Sequence, residues 1–213
     1  MPKLVNKIVK VLILSDLFLN LGWGLLSPIF ALFILQNITI GNPEKAAEVA
    51  GLAALFYWIS KSFIEIPIGR FLDKHDGEKD DFWFMLLGEV LITLVPIGYL
   101  FSSYPWQIYL CQILHAVGMA MALPSWLAIF TRHIDKGKEA FEWSMETTSI
   151  GIGAGIAGGL GGVLVAILGF KGLFFLVSGL NLFAALLLLF VKNNVSKRGD
   201  SFIAPPERPV VEP

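Results

Sequence analysis

Charged residues are scarce in this chain of 213 residues. Only 15% of the residues are Asp, Glu, Lys or Arg, whereas 55% are hydrophobic. Soluble globular proteins carry about 25% charged and about 45–50% apolar residues, so the composition excludes an ordinary soluble domain and indicates lipid as the surrounding solvent. The formal net charge of -1 gives no electrostatic basis for binding nucleic acid.

Cysteine and histidine are also rare. Cys111 is the only cysteine, which excludes an intrachain disulfide and a thiolate metal site. None of the three histidines belongs to a His-Glu-x-x-His motif, and no Ser/His pair sits on a glycine-rich elbow. We therefore expect no enzyme activity, no cofactor and no metal site.

Six hydrophobic runs are long enough to cross a bilayer, which takes about 20 apolar residues in a helix. Because a lone strand leaves its backbone groups unsatisfied in hydrocarbon, each run is predicted to be helical. The runs lie at about 9–35, 46–70, 82–101, 106–131, 140–168 and 172–191. The predicted fold class is an all-α membrane protein with an N-terminal segment at 1–8, a six-helix transmembrane bundle at 9–191 and a disordered, proline-rich tail at 192–213.

Positive charges lie almost entirely on one side of the predicted bundle. Twelve Lys and Arg residues flank the runs on this side, and only Lys45 and Lys171 lie on the other. The positive-inside rule therefore predicts that both termini are cytoplasmic. We expect an integral protein of a prokaryotic plasma membrane, surrounded by the lipid bilayer.

Two polar stripes run along the first and fourth predicted helices. At 100° per residue, the members of each stripe share one helix face. The first stripe consists of Asp16, Asn20, Trp23 and Ser27, and the second of Gln112, His115, Met119, Ala122 and Trp126. Because polar groups are costly against acyl chains, the stripes are expected to face a water-filled cavity or each other. The alternative is that they only form interhelical hydrogen bonds that hold the bundle together.

Four carboxylates lie at one level, about 6–10 Å inside the cytoplasmic ends of their helices. They are Asp16, Glu65, Glu89 and Glu146. This level predicts an acidic inner vestibule that suits a proton relay, with His115 near mid-depth as its extension. Lys61 lies one turn deeper than Glu65 and is expected to pair with Glu65 or Glu89. The alternative is that cytosolic water reaches these carboxylates, which then only gate or pack.

Seven glycines occur within residues 151–162 of the fifth run. Five of them fall within an arc of about 100°. They are Gly151, Gly155, Gly158, Gly159 and Gly162. Such a smooth face allows another helix to approach closely or to slide, and small residues of the second run are a possible counterpart.

Three short motifs resemble signatures of the major facilitator superfamily. GRFLDKHDGEK at 69–79 is similar to the family's loop motif between spans 2 and 3. GIGAGIAGG at 151–159 is similar to its span-5 motif, and LGWGLLSPIFA at 21–31 to its span-1 pattern. Two departures stand out: Ile156 replaces the span-5 proline, and Leu114 occupies a place where many members carry arginine.

The resemblance covers residues 8–191 and implies a six-helix half of a secondary transporter, since members have twelve spans in two halves. It implies alternating access for a small solute, coupled to protons or another cation. A homodimer is expected to supply the second half. The gating loop that the resemblance implies comprises Gly69, Arg70, Asp73, Lys74 and Gly77, with Asp73 meeting span 5 of the partner. Half of a heteromeric or truncated transporter, a non-transporting scaffold or accessory subunit, and a channel are the alternatives.

Overall fold

The computed structural model describes residues 5–74 and 78–194, and every regular element within them is helical. The α-helices are α1 (Lys7–Leu26), α2 (Phe30–Phe33), α3 (Pro43–Lys74), α4 (Glu78–Leu100), α5 (Pro105–His133) and α6 (Glu139–Leu188). A 3-10 turn at Ser27–Ile29 and a π-helical segment at Ile34–Ile38 join and extend α1 and α2, and a 3-10 segment at Leu189–Asn194 follows α6.

Within the described residues, five helical stretches are long and apolar enough to cross a membrane. The sequence predicts six, and the difference arises because the last two predicted runs are joined in α6. With 50 residues, α6 has a contour of about 75 Å at 1.5 Å per residue, well beyond the roughly 30 Å hydrocarbon core. Gly169 interrupts it with φ 68° and ψ 173°, a conformation that glycine adopts without a Cβ clash. Residues 139–168 are the first arm of α6, and residues 170–188 are its second arm.

Local side chains explain where the helices begin. The Asn6 side chain accepts a hydrogen bond from the Ile8 N–H at 3.0 Å, and the Asn42 side chain accepts one from the Lys45 N–H at 2.9 Å. Pro105 starts α5, where a missing N–H costs nothing. Each start thus satisfies backbone donors that have no partner within the helix.

Pro28 marks the one place where a proline accompanies a change of helix type among the described spans. It lies within the Ser27–Ile29 turn, between α1 and α2. Proline removes one backbone donor and crowds the preceding turn, which favours a local tightening of the helix. The other three intramembrane prolines, Pro67, Pro96 and Pro124, lie inside continuous α-helices.

The helices pack as two pairs against a central helix. α1 packs against α6, α3 packs against α5, and α4 contacts both α5 and α6. Glycines bring two of these helices close together: a Cβ on Gly88 would lie 2.5 Å from the Gly118 carbonyl oxygen. The arrangement leaves α1 and α3 on either side of a gap.

The predicted terminal segments lie mostly outside the described residues. α1 begins at Lys7, inside the segment predicted at 1–8. Of the tail predicted at 192–213, residues 192–194 belong to the Leu189–Asn194 segment.

Candidate functional site

A cavity of about 470 Å³ lies in the gap between α1 and α3, and α5 also lines it. Its wall on α1 and the start of α2 runs from Asp16 to Phe30, about 21 Å along the helix axis. That length is most of the hydrocarbon thickness of a bilayer. We call this space the polar cavity. Both predicted stripes contribute to it: the lining includes Asp16, Asn20, Trp23, Ser27, Gln112, His115 and Met119.

An aromatic stack occupies the middle of the polar cavity. The rings of Trp23 and His115 are parallel to within 8°, with centroids 3.8 Å apart. Tyr57 of α3 flanks the same imidazole at 4.7 Å. His115 is therefore held between α1 and α3, and only 9% of it is exposed. The stack links the two walls of the cavity at mid-depth.

Two donors on residues that line the polar cavity have no hydrogen-bond partner among the described residues. They are the indole Nε1 of Trp23 and the hydroxyl of Tyr99. A buried donor without a partner costs about 1–3 kcal/mol. Both donor atoms are almost completely buried, so they lie behind the surface of the cavity.

The end of the polar cavity at Asp16 holds a carboxyl pair. The Asn20 amide donates to the Asp16 carboxylate at 2.8 Å, and the Glu146 carboxyl group lies beside Asp16. Two carboxyl groups at hydrogen-bond distance can share a hydrogen bond only when one of them carries a proton. Glu146 is 3% exposed, and its Oε2 has no hydrogen-bond partner among the described residues.

Glu89 lies beside this pair but does not line the polar cavity. Ser15 donates to its Oε1 at 3.4 Å and to the Ala184 carbonyl oxygen at 2.9 Å. Glu89 is 2% exposed, and its electrostatic neighbour is Asp16. The structure thus brings together Asp16, Glu89 and Glu146 from three different helices.

Glu65, the fourth carboxylate of the predicted vestibule, lies apart from the other three. Its Oε2 accepts a hydrogen bond from the Lys61 ammonium at 2.8 Å, within α3. Of the two partners predicted for Lys61, Glu65 is therefore the one it contacts. Neither residue lines the polar cavity.

Trp126 shares a helix face with His115 but lies beyond the end of the polar cavity. Its ring stacks on Phe130 with centroids 4.6 Å apart, and Trp143 of α6 packs against both. Trp126 is 7% exposed and belongs to a separate apolar cluster. The structure therefore places it in the core rather than with Met119 and Gln112.

The glycine-rich first arm of α6 has two different small faces. The predicted face is exposed, and a Cβ on any of Gly151, Gly155, Gly158, Gly159 and Gly162 would meet nothing within 4 Å. A second face, which the sequence reasoning missed, packs tightly on α1. A Cβ on Gly153 would lie 2.8 Å from Leu17 Cδ1, one on Gly24 would lie 2.8 Å from Ala157 Cβ, and one on Gly161 would overlap the Leu25 carbonyl oxygen. The i, i+4, i+8 spacing of Gly153, Ala157 and Gly161 was the signal for this face.

The residues of the predicted gating loop continue α3 to its end. Gly69, Arg70, Asp73 and Lys74 belong to the last turns of the helix, and Gly77 lies outside the described residues. Close to this end, an ionic network joins α4 to α5. Arg132 pairs with Asp81, and the His133 Nδ1 lies 3.6 Å from the Glu78 carboxylate. Asp81 and Glu78 are each 1% exposed.

Within residues 5–74 and 78–194, no group of three or more His, Cys, Asp or Glu side chains is placed to hold a metal ion.

Comparison with known proteins identifies the family. The profile of the Major Facilitator Superfamily matches residues 12–212. The chain belongs to the Major Facilitator Superfamily. This finding confirms the resemblance in the three short motifs, and it makes the chain an integral membrane protein of a transporter family. No curated protein matches the chain closely enough to name a relative within the superfamily.

Proposed function

We propose that this superfamily member moves a small solute across the membrane by alternating access, in step with protons or another cation. The polar cavity carries the proposal. This cavity extends along α1, with polar groups at one end and aromatic groups in the middle, as a solute pathway requires. A purely apolar core would not carry such a lining, because burying polar groups without hydrogen-bond partners costs free energy.

The proposed topology has six membrane spans. The break at Gly169 divides α6 into two arms, each long enough to cross the hydrocarbon core once. An even number of spans brings both termini to the same side, which the distribution of Lys and Arg favours as the cytoplasm. The plasma membrane of a prokaryotic cell is the proposed location.

The proposed solute carries hydrogen-bond acceptors and an apolar face. Its acceptors meet the donors of Trp23 and Tyr99 when the wall of the cavity opens, and its apolar face packs on the exposed Trp58 at the cavity rim. His115 is fixed by its stack with Trp23 and so presents a preorganised polar edge. These contacts leave the direction of transport open.

Coupling to protons is proposed at the Asp16–Glu146 pair. In this proposal one proton bridges the two neighbouring carboxyl groups, and Asp16 also lines the cavity. When that proton leaves, the two neighbouring negative charges repel each other, and the helices that carry them, α1 and α6, are pushed apart. Proton release is thereby linked to the packing of the cavity wall.

Uptake into proteoliposomes with an imposed pH gradient tests the transport proposal. The panel comprises sugars, amino acids and drugs. We expect one class to accumulate with the gradient, and Asp16→Asn and Glu146→Gln to abolish gradient-driven accumulation. Glu48→Gln is the control, because Glu48 forms only an exposed pair with Lys45. If no member of the panel is taken up, a scaffold or accessory role replaces the proposal.

A second copy of the bundle is proposed to complete the pathway. The gap between α1 and α3 opens on the side where α3 is largely exposed, including Trp58 at 61% and Phe63 at 77%. The exposed glycine face of the first arm of α6 offers a matching surface for close helix contact. In this arrangement Asp73 of one copy lies against the first arm of the partner, whose N-terminus carries partial positive charge.

Cysteine crosslinking in native membranes tests the pairing. The chain with Cys111→Ala receives Gly51→Cys on α3 and Gly159→Cys on α6, two positions with open space around them. We expect an intermolecular disulfide between copies. Leu87→Cys with Gly159→Cys is the control, since Leu87 is exposed on α4, away from the proposed interface. If neither pair crosslinks while the protein stays folded, the homodimer fails, and a different chain or a further segment must supply the second half.

A further inference from the structure

A basic cavity lies at the other side of the molecule, where α4 begins and the last described segment ends. Its volume is about 470 Å³, and its lining consists of Lys79, Phe82, Trp83, Lys192 and Asn193. None of these residues lines the polar cavity. The lining carries two positive charges and no carboxylate.

One of the two lysines lies over an aromatic ring, and the other shares a helix face with that ring. The Lys192 ammonium lies 5.0 Å from the centroid of the Trp83 ring. Lys79 and Trp83 are four residues apart in α4, so they share one helix face. Among residues 5–74 and 78–194, neither lysine forms an ion pair with a carboxylate.

The acidic residues at the start of α4 do not neutralise this site. Asp81 and Glu78 are turned into the bundle, where Arg132 and His133 face them. Asp80, which follows Lys79 in the chain, leaves one negative charge near two positive ones. The cavity therefore keeps a net affinity for an anion.

The depth of the cavity selects the kind of anion. Trp83 is 46% exposed, and tryptophan favours the level where helices leave the hydrocarbon. One turn further into the apolar region, Leu87 is 51% exposed, and Phe190, two residues before Lys192, is 65% exposed. A ligand with its phosphate on the lysines would thus lay its acyl chains on Leu87 and Phe190.

We propose that the cavity formed by Lys79, Phe82, Trp83, Lys192 and Asn193 binds the headgroup of an anionic phospholipid. The phosphate lies between the two ammonium groups, and Asn193 donates to a headgroup oxygen. Basic pockets near helix ends recognise anionic lipids in this way. The proposal requires that the bundle spans a membrane, and it is independent of any transported solute.

Native mass spectrometry of the full-length protein in detergent tests the proposal. Phosphatidylglycerol and phosphatidylcholine with the same acyl chains are titrated separately, and the apparent affinity of each is measured. We expect Lys79→Gln/Lys192→Gln to weaken phosphatidylglycerol binding by about 30-fold, the equivalent of about 2 kcal/mol, and to leave phosphatidylcholine binding unchanged. Each single substitution is expected to weaken it by about fivefold.

The matched control is Lys7→Gln/Lys10→Gln. Both of these lysines are exposed at the start of α1, and their removal deletes the same charge from the same end of the bundle. If this control weakens binding as much as the double substitution in the cavity, the attraction is diffuse and the site is wrong. An excess of inorganic phosphate distinguishes a lipid headgroup from free phosphate as the ligand. If phosphate displaces the lipid and alone stabilises the protein through Lys79 and Lys192, the site binds free phosphate and the proposal is overturned.

Discussion

Replacing Gly161 by alanine is expected to force α6 away from α1. The added Cβ would overlap the Leu25 carbonyl oxygen and lie 3.3 Å from its carbonyl carbon and 3.4 Å from Pro28 Cγ. A backbone carbonyl cannot rotate out of the way as a long side chain does. Overpacking of this kind costs about 1–3 kcal/mol, while alanine gains up to about 1 kcal/mol in helix propensity over glycine.

Gly162→Ala supplies the matched control. Gly162 is the next residue of the same helix, and its Cβ would meet nothing within 4 Å. Because both substitutions gain the same propensity, their difference isolates the overlap with α1. Unfolding of the monomer in mixed micelles, followed by circular dichroism, is expected to give Gly161→Ala a free energy of unfolding lower than that of Gly162→Ala by about 1–3 kcal/mol.

Two outcomes would refute this reasoning. Equal stability of the two variants, within about 0.5 kcal/mol, would mean that α1 and α6 do not approach closely at Gly161. A reversed order would mean that the first arm of α6 is rotated and that the predicted glycine face, rather than the Gly153–Gly161 face, packs on α1.

Three further predictions concern single side chains. Trp23→Leu removes the stack on the His115 imidazole, and we expect the KM for uptake to rise by about 10-fold. The free energy of chemical unfolding is expected to stay within about 1 kcal/mol of that of the unsubstituted protein. An unchanged KM would contradict a solute contact. Arg132→Gln leaves the buried Asp81 without its partner and should lower the free energy of unfolding by about 3–5 kcal/mol. Lys45→Gln, in an exposed pair, should lower it by about 0–1 kcal/mol. Equal losses would contradict the buried network. Gly169→Ala places a Cβ at φ 68° and ψ 173°, a region that is essentially restricted to glycine, and should cost about 1–3 kcal/mol. A neutral result in thermal unfolding would contradict the break in α6.

The transmembrane helices were predictable because each follows from a long apolar run. Charge depletion and run length are properties of the sequence alone, so the predicted runs overlap every long helix of the structure. The junction near Gly169 was not predictable in the same way. The gap between the runs at 140–168 and 172–191, with Lys171 in it, predicted a loop. The backbone needs only one glycine with positive φ to redirect the chain, and the flanking residues remain helical.

Helical periodicity predicted which faces meet at the polar cavity but not how far the cavity extends. Trp126 is 11 residues from His115 and therefore lies on almost the same face, yet it is about 16 Å further along the axis. Depth along the helix decided its place in the core. Tyr57 and Tyr99 were missed for a different reason, because no polar stripe marks their faces of α3 and α4. Tyr57 lines the cavity beside Ala54 and Trp58, and Tyr99 is the one lining residue of α4.

The contacts between the carboxylates could not be predicted from periodicity along single helices either. Their common depth was readable from their distance to the helix ends, and it predicted one vestibule formed by all four. Which ones meet depends on helix adjacency. α6 packs on both α1 and α4 and so brings together Asp16, Glu89 and Glu146, while α3 packs on α5 and keeps Glu65 apart. Pairing of helices is a tertiary property that no single run of sequence encodes.

Thiol labelling within the polar cavity tests the central claim of alternating access most directly. Asn20→Cys is introduced with Cys111→Ala, and the protein in oriented vesicles is treated with a membrane-impermeant thiol reagent from one side or the other. Val9→Cys, at a buried position of α1, controls for reagent that enters the core. The account predicts that Asn20→Cys reacts from each side in turn and that Val9→Cys reacts from neither. Reaction of Asn20→Cys from one side only, under every gradient and solute applied, would contradict a pathway that opens alternately to both faces of the membrane.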